Sequence, residues 1–201
     1  MKLIGLALLF VLINCGTPQK KTPSSSESNN EKVIISSEPK TEKPEEKPTL
    51  PNGAVTAHFT SGTLPYYGYV QNVDKRKGET TIAFENNKAP LLKIPKTYGA
   101  KLEVLTFPEF KSDLLLVTAQ LKDPIFNKYF LYVLKNGGWQ PVVNGFALHK
   151  SHVNDTLVPI TVDPEKPGHM FRYYSVFDLD EESELGYTWR LFNESIPIQN
   201  Q

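Results

Sequence analysis

The stretch Lys128-Tyr-Phe-Leu-Tyr-Val-Leu-Lys-Asn-Gly-Gly-Trp-Gln-Pro-Val-Val143 decides the fold. Asn136-Gly137 interrupts a run of apolar and aromatic residues. Both tolerate the positive φ that a two-residue type I′ turn demands. The spacing predicts antiparallel strands over 128–135 and 138–143 with a tight turn between them.

Strand signals continue on both sides. Residues 113–121 are again rich in apolar side chains, and 101–107 alternate, with Leu102, Val104 and Thr106 on one face and Glu103, Leu105 and Phe107 on the other. Upstream, 54–60, 66–73 and 79–84 read as strands, the last two flanking Asp74-Lys-Arg-Lys-Gly78 as a hairpin loop. Downstream, 156–162, 170–177 and 186–192 complete the set. No 12-residue segment carries a helical apolar stripe, and eleven of the 16 prolines lie beyond residue 50. The expectation is an all-β, antiparallel domain of about eight to eleven strands, a sandwich or a small barrel. The pattern over 113–139 also resembles a β-propeller blade. Residues 51–201 would make only about three to four such blades of ~40 residues, without a visible repeat, so a propeller-like sheet array is the lesser alternative.

Composition divides the chain. Residues 51–201 hold 21 of the 22 aromatics, with 15 Lys+Arg against 16 Asp+Glu. A domain of that size buries roughly 70% of its unfolded surface, so its core needs no metal or disulfide. The only compact basic run is Lys75-Arg76-Lys77, which reads as a hairpin tip. A nucleic-acid binder needs a broader basic footprint, so no nucleic-acid partner is expected. Residues 16–50 contain no aromatic residue but five Pro, six Ser, six Lys and six Glu. They read as a disordered linker, whose r.m.s. span would be roughly 30–35 Å.

The first residues carry an address. Lys2 is followed by an apolar run, Leu3 to Ile13, broken only by Gly5. It is too short to span a membrane but suits a secretory signal. The run ends at Leu12-Ile13-Asn14-Cys15, and Cys15 is the only cysteine. This resembles the lipobox of bacterial lipoproteins, with Asn14 standing where the family usually has Gly, Ala or Ser. The resemblance implies a signal peptide over 1–14 and a covalent diacylglycerol and fatty acyl group on Cys15. Gly16 in place of Asp points, on the same resemblance, to the outer membrane rather than the inner. Two or more acyl chains on one residue hold a protein stably on a bilayer.

Candidate sites are fewer. His149-Lys-Ser-His152, with Asp155 three residues on, has the residue types of a zinc site. On a strand, however, residues three apart point to opposite faces. Asp178, Asp180 and Glu182 place oxygens at alternate positions, as calcium would require, yet lack the glycine and spacing of the twelve-residue calcium loop. The plainer reading is a solvated loop and a charged hairpin tip, so no metal or other cofactor is expected. No Gly-x-Ser-x-Gly or phosphate-binding glycine loop occurs. The aromatics are the most distinctive feature: Tyr66, Tyr67, Tyr69, Tyr173, Tyr174, Tyr187 and Trp189. Tyr and Trp suit partner or glycan surfaces. The leading functional expectation is a non-enzymatic binding or assembly module of the cell envelope, engaging a protein or glycan. The alternative is an envelope hydrolase or metal-dependent enzyme.

Overall fold

The computed structural model describes residues 49–199. The expected signal segment, Cys15 and all but the last two residues of the expected linker lie outside the described residues.

Among the described residues, twelve antiparallel strands form three sheets that follow one another along the chain. The first contains β1 (Val55–Ala57), β2 (Tyr66–Asp74), β3 (Glu79–Phe84) and β4 (Leu92–Pro95), in that order. The second runs β5 (Ala100–Leu105), β6 (Leu114–Gln120), β7 (Phe126–Lys135), β8 (Gly138–Pro141). Its β9 (Phe146–His149) pairs with the first half of β7, beside β8. The third runs β10 (Ile160–Val162), β11 (His169–Leu179), β12 (Tyr187–Pro197).

The all-β antiparallel expectation holds, and the sandwich gains a third layer. In β6, Leu114, Leu115, Leu116 and Val117 are all buried. Alternation sends Leu115 and Val117 into a core shared with Ile82, Phe84 and Ile94 of the first sheet and with Phe59 from the connection after β1. It sends Leu114 and Leu116 into a second core with Ile160 and Met170 of the third. β7 divides likewise: Phe130, Tyr132 and Leu134 go one way, Tyr129, Leu131 and Val133 the other. A central sheet buried on both faces therefore reads as a continuous apolar run instead of an alternation. Each fully buried Leu or Val contributes about 1.5–3 kcal/mol. No sheet closes on itself among the described residues, so the layered sandwich describes the fold and the barrel does not.

Twelve strands are one more than the upper end of the expected range; the two without a predicted segment are β4 and β9, each four residues long. The predicted turns are present. Asn136 and Gly137 have φ of 52° and 74° and join Lys135 to Gly138 as a two-residue loop. Gly78 has φ of 63°, and Asp74 Oδ1 accepts from the Arg76 and Lys77 amides in the same turn. Trp139 links two layers: its ring stacks on Phe84, centroids 4.7 Å apart, and its Nε1 donates to the Pro90 carbonyl.

Candidate functional site

β11 and β12 form a hairpin of eleven residues a side, while β10 covers only three of them. Its base, with Met170 opposite Ile196, packs into the core beneath the second sheet. Its far end, with Phe177 opposite Trp189, presents the opposite face of the ribbon. Two-stranded ribbons twist strongly, so one hairpin can use each face at a different height.

At the far end the rings collect. The His149 imidazole lies parallel to the Trp189 indole, centroids 5.0 Å apart and planes 8° apart. Phe126 meets both edge-on. On the outer side Phe177 lies 5.1 Å from Trp189 and stacks on Tyr187 at 5.4 Å. Phe177 is 53% exposed and Tyr187 49%, and Leu179, Leu185 and Leu191 beside them are also exposed. The acidic residues 178–184 form the adjoining tip, where Arg190 reaches Asp178 and Asp180 at 4.0 and 3.8 Å. These pairs are exposed and long, and such pairs contribute little to stability.

A hydrogen-bond chain fixes the inner side. His152 Nε2 lies 3.1 Å from the Trp189 carbonyl, which can only accept, so Nε2 carries the proton. In the neutral ring Nδ1 then accepts from the Ser175 hydroxyl, 2.8 Å away. Ser175 Oγ in turn accepts from the His149 amide. His149 Nδ1 accepts from the Ser151 amide and lies 2.6 Å from its hydroxyl. The short 3₁₀ turn over Lys150–His152 is thus pinned against the hairpin.

The His149 and His152 rings lie 6.1 Å apart, centre to centre, but among the described residues no carboxylate completes a ligand set with them. His152 uses both ring nitrogens as described, and Asp155 instead lines a polar cavity of about 370 Å³ with Lys101, Glu103 and Tyr129. Asp178 and Asp180 face Arg190, and Glu182 is exposed. No group of three metal-ligating side chains exists among the described residues.

Nor do the seven aromatics named from the sequence form one surface. Tyr66 is 3% exposed and sits in the first core, its hydroxyl bonded to Thr60 Oγ1. It is a packing residue, which corrects its place in the expected surface. Tyr67 and Tyr69 lie half-buried on the outer face of β2, rings 6.0 Å apart, since neighbours on a strand point oppositely. Tyr173 packs against the second core. Tyr174 stacks on Phe192 beneath Arg172. Only Tyr187 and Trp189 belong to the far-end cluster. Phe126, Phe177 and Ser175 join it without having been singled out. Parity with Trp189 in the opposite strand was the available signal for Phe177; for Phe126, which arrives from another sheet, there was none.

Comparison with protein-family models, with curated proteins and with solved structures returns no match for this chain.

Proposed function

We propose that this chain is a lipid-anchored protein of the bacterial cell envelope whose domain is a non-enzymatic binding or assembly module. Diacylglycerol and a fatty acyl group on Cys15 would hold it at the outer membrane, with residues 16–50 as its tether. The observation that carries the binding reading is the exposed Phe177–Tyr187 stack, backed by Trp189 and His149 and bordered by acidic residues. An apolar patch with a polar rim is the usual anatomy of a contact surface, and rigid rings lose little entropy on binding. The partner chemistry that fits is an envelope protein or a glycan, either of which stacks on exposed rings. The hydrolase or metal-dependent alternative is less favoured, because the His152 nitrogens are occupied by Ser175 and the Trp189 carbonyl.

Two measurements test the two halves. Labelled palmitate should enter wild type and not Cys15→Ala, and only wild type should stay with the membrane fraction. Equal membrane retention without label would remove the anchor from the account. A Phe177→Ser/Tyr187→Ser variant should melt within a few degrees of wild type yet lose the envelope component that crosslinks to wild type. Undiminished crosslinking by that variant would remove the hairpin.

A further inference from the structure

β12 is an edge strand. β11 pairs with one side along all eleven residues, and no strand among the described residues pairs with the other. In an antiparallel pair, a residue turns both its N–H and C=O towards its neighbour or both away. The Asp180 amide donates to Gly186 and the Ile198 amide to Gly168, so the even-numbered positions of β12 bond to β11. Odd-numbered positions from Tyr187 to Pro197 therefore turn their backbone outward.

Both ends of this edge are blocked. The Trp189 carbonyl accepts from His152. Pro197 has no N–H, and the Gln199 amide just beyond it donates to Val142. Such devices protect native edges from unwanted pairing. The middle, at Leu191, Asn193 and Ser195, has no such cover, and Leu191 and Asn193 are exposed.

The side chains there select a partner. Arg190, Phe192 and Glu194 share one face and read cation, ring, anion. A second copy running antiparallel about a two-fold axis at Phe192 sets Arg190 opposite Glu194 of that copy, twice over. Phe192 then meets Phe192 of the copy, and Leu191 exchanges backbone bonds with Asn193. Only unblocked groups take part in those bonds. The next outward pair in this register sets Trp189 against Ser195, so the blocked Trp189 carbonyl ends the ladder there; moving the axis to Leu191 sets that carbonyl against Asn193 and leaves only the Leu191 pair clear of it. Moving it to Asn193 sets Glu194 against a ring. Both cross-axis charges have capacity to spare: Arg172 bonds only Oε1 of Glu194, and Arg190 is held loosely by Asp178 and Asp180.

We infer that β12 pairs edge to edge with β12 of a second copy of this chain, in a two-fold contact centred on Phe192. The contact is isologous, as most homodimer contacts are. It is also short compared with a standard interface, so association is concentration-dependent. It goes beyond the proposed function, for it requires neither the anchor nor an envelope partner.

The test uses the purified full chain, oxidised over a concentration series and read on a non-reducing gel. Wild type, whose only cysteine is Cys15, gives the baseline. Phe192→Cys should form a disulfide-linked dimer well above that baseline and above Lys101→Cys, which places a thiol at an exposed position of the edge strand β5. Arg190→Glu added to Phe192→Cys should weaken dimerisation about tenfold, because symmetry enters each charge pair twice. Adding Glu194→Arg should restore it. Phe192→Cys crosslinking no better than Lys101→Cys overturns the inference, as does stronger self-crosslinking from Leu191→Cys or Asn193→Cys. A folded double reversal that stays monomeric also overturns it. If the double reversal does not fold, the cysteine comparison decides alone.

Discussion

The His149 imidazole and the Trp189 indole lie flat against each other, 5.0 Å between centroids, although forty positions separate them in the chain. One comes from β9 at the side of the central sheet and the other from the edge of the third. The pair therefore joins two layers, and the exposed rings Phe177 and Tyr187 rest on it.

That stack should be measurable. Trp189 is half-buried, so Trp189→Ala should destabilise by about 2 kcal/mol, below the 3–5 kcal/mol of a fully buried aromatic. Chemical denaturation of Trp189→Ala, His149→Ala and the double variant should give a coupling of about 0.5–1.5 kcal/mol. A coupling indistinguishable from zero would mean that the rings adjoin without supporting each other.

Gly68 lies between two tyrosines of β2 and is needed there for space. A Cβ at this position would lie 2.7 Å from Cε1 of the Phe84 ring, itself packed between Phe59, Tyr66 and Trp139. Gly68→Ala should therefore cost about 1–3 kcal/mol by overpacking. Gly137→Ala has open space but a φ of 74°, so it should cost about 1 kcal/mol through backbone strain alone. Phe84→Leu costs core packing by itself, but in that background Gly68→Ala should cost less than before and Gly137→Ala the same. Thermal melts of wild type, the three single variants and the two double variants would show whether they do.

Acid stability should depend on Asp163. The Ser195 hydroxyl donates to it from β12; the Glu165 and Lys166 amides donate to it in the β10–β11 loop, and burial works against them. The net effect holds its carboxyl below its ordinary value of 3.8. A depressed carboxylate stabilises the fold above its unfolded pKa, and that contribution fades as pH falls through the folded value. Asp163→Asn should thus melt lower than wild type at neutral pH, with the difference shrinking below about pH 4. Parallel melting curves separated by a constant gap across that range would contradict the assignment.

Much of the fold could be read from local signals. The Asn136-Gly137 turn and the strands on either side are where turn chemistry puts them, because a type I′ turn depends only on its own two residues. The third layer was harder to foresee. Leu114 to Val117 shows that a strand is apolar, but not that each of its faces meets a different sheet. β4 and β9 leave little mark in the sequence because four residues allow one cycle or two of alternation, and β4 carries Lys93 and Pro95 besides. At the candidate site, parity separates Tyr66 from Tyr67, yet only tertiary packing says which face is the core. The far-end cluster draws Phe126, His149, Phe177 and Trp189 from four strands in two sheets. Such convergence leaves no mark in the spacing of a single sequence.

The most direct test of the binding account places a photoreactive residue at Tyr187 in the full chain, with Lys93 on the outer edge of the first sheet as the control position. Illumination of intact cells should yield a discrete crosslinked species from position 187 that is absent at position 93. It should also be lost when Phe177→Ser is added. Identical patterns from the two positions, or a product at 187 that survives Phe177→Ser, would contradict the assignment of the aromatic hairpin as the contact surface.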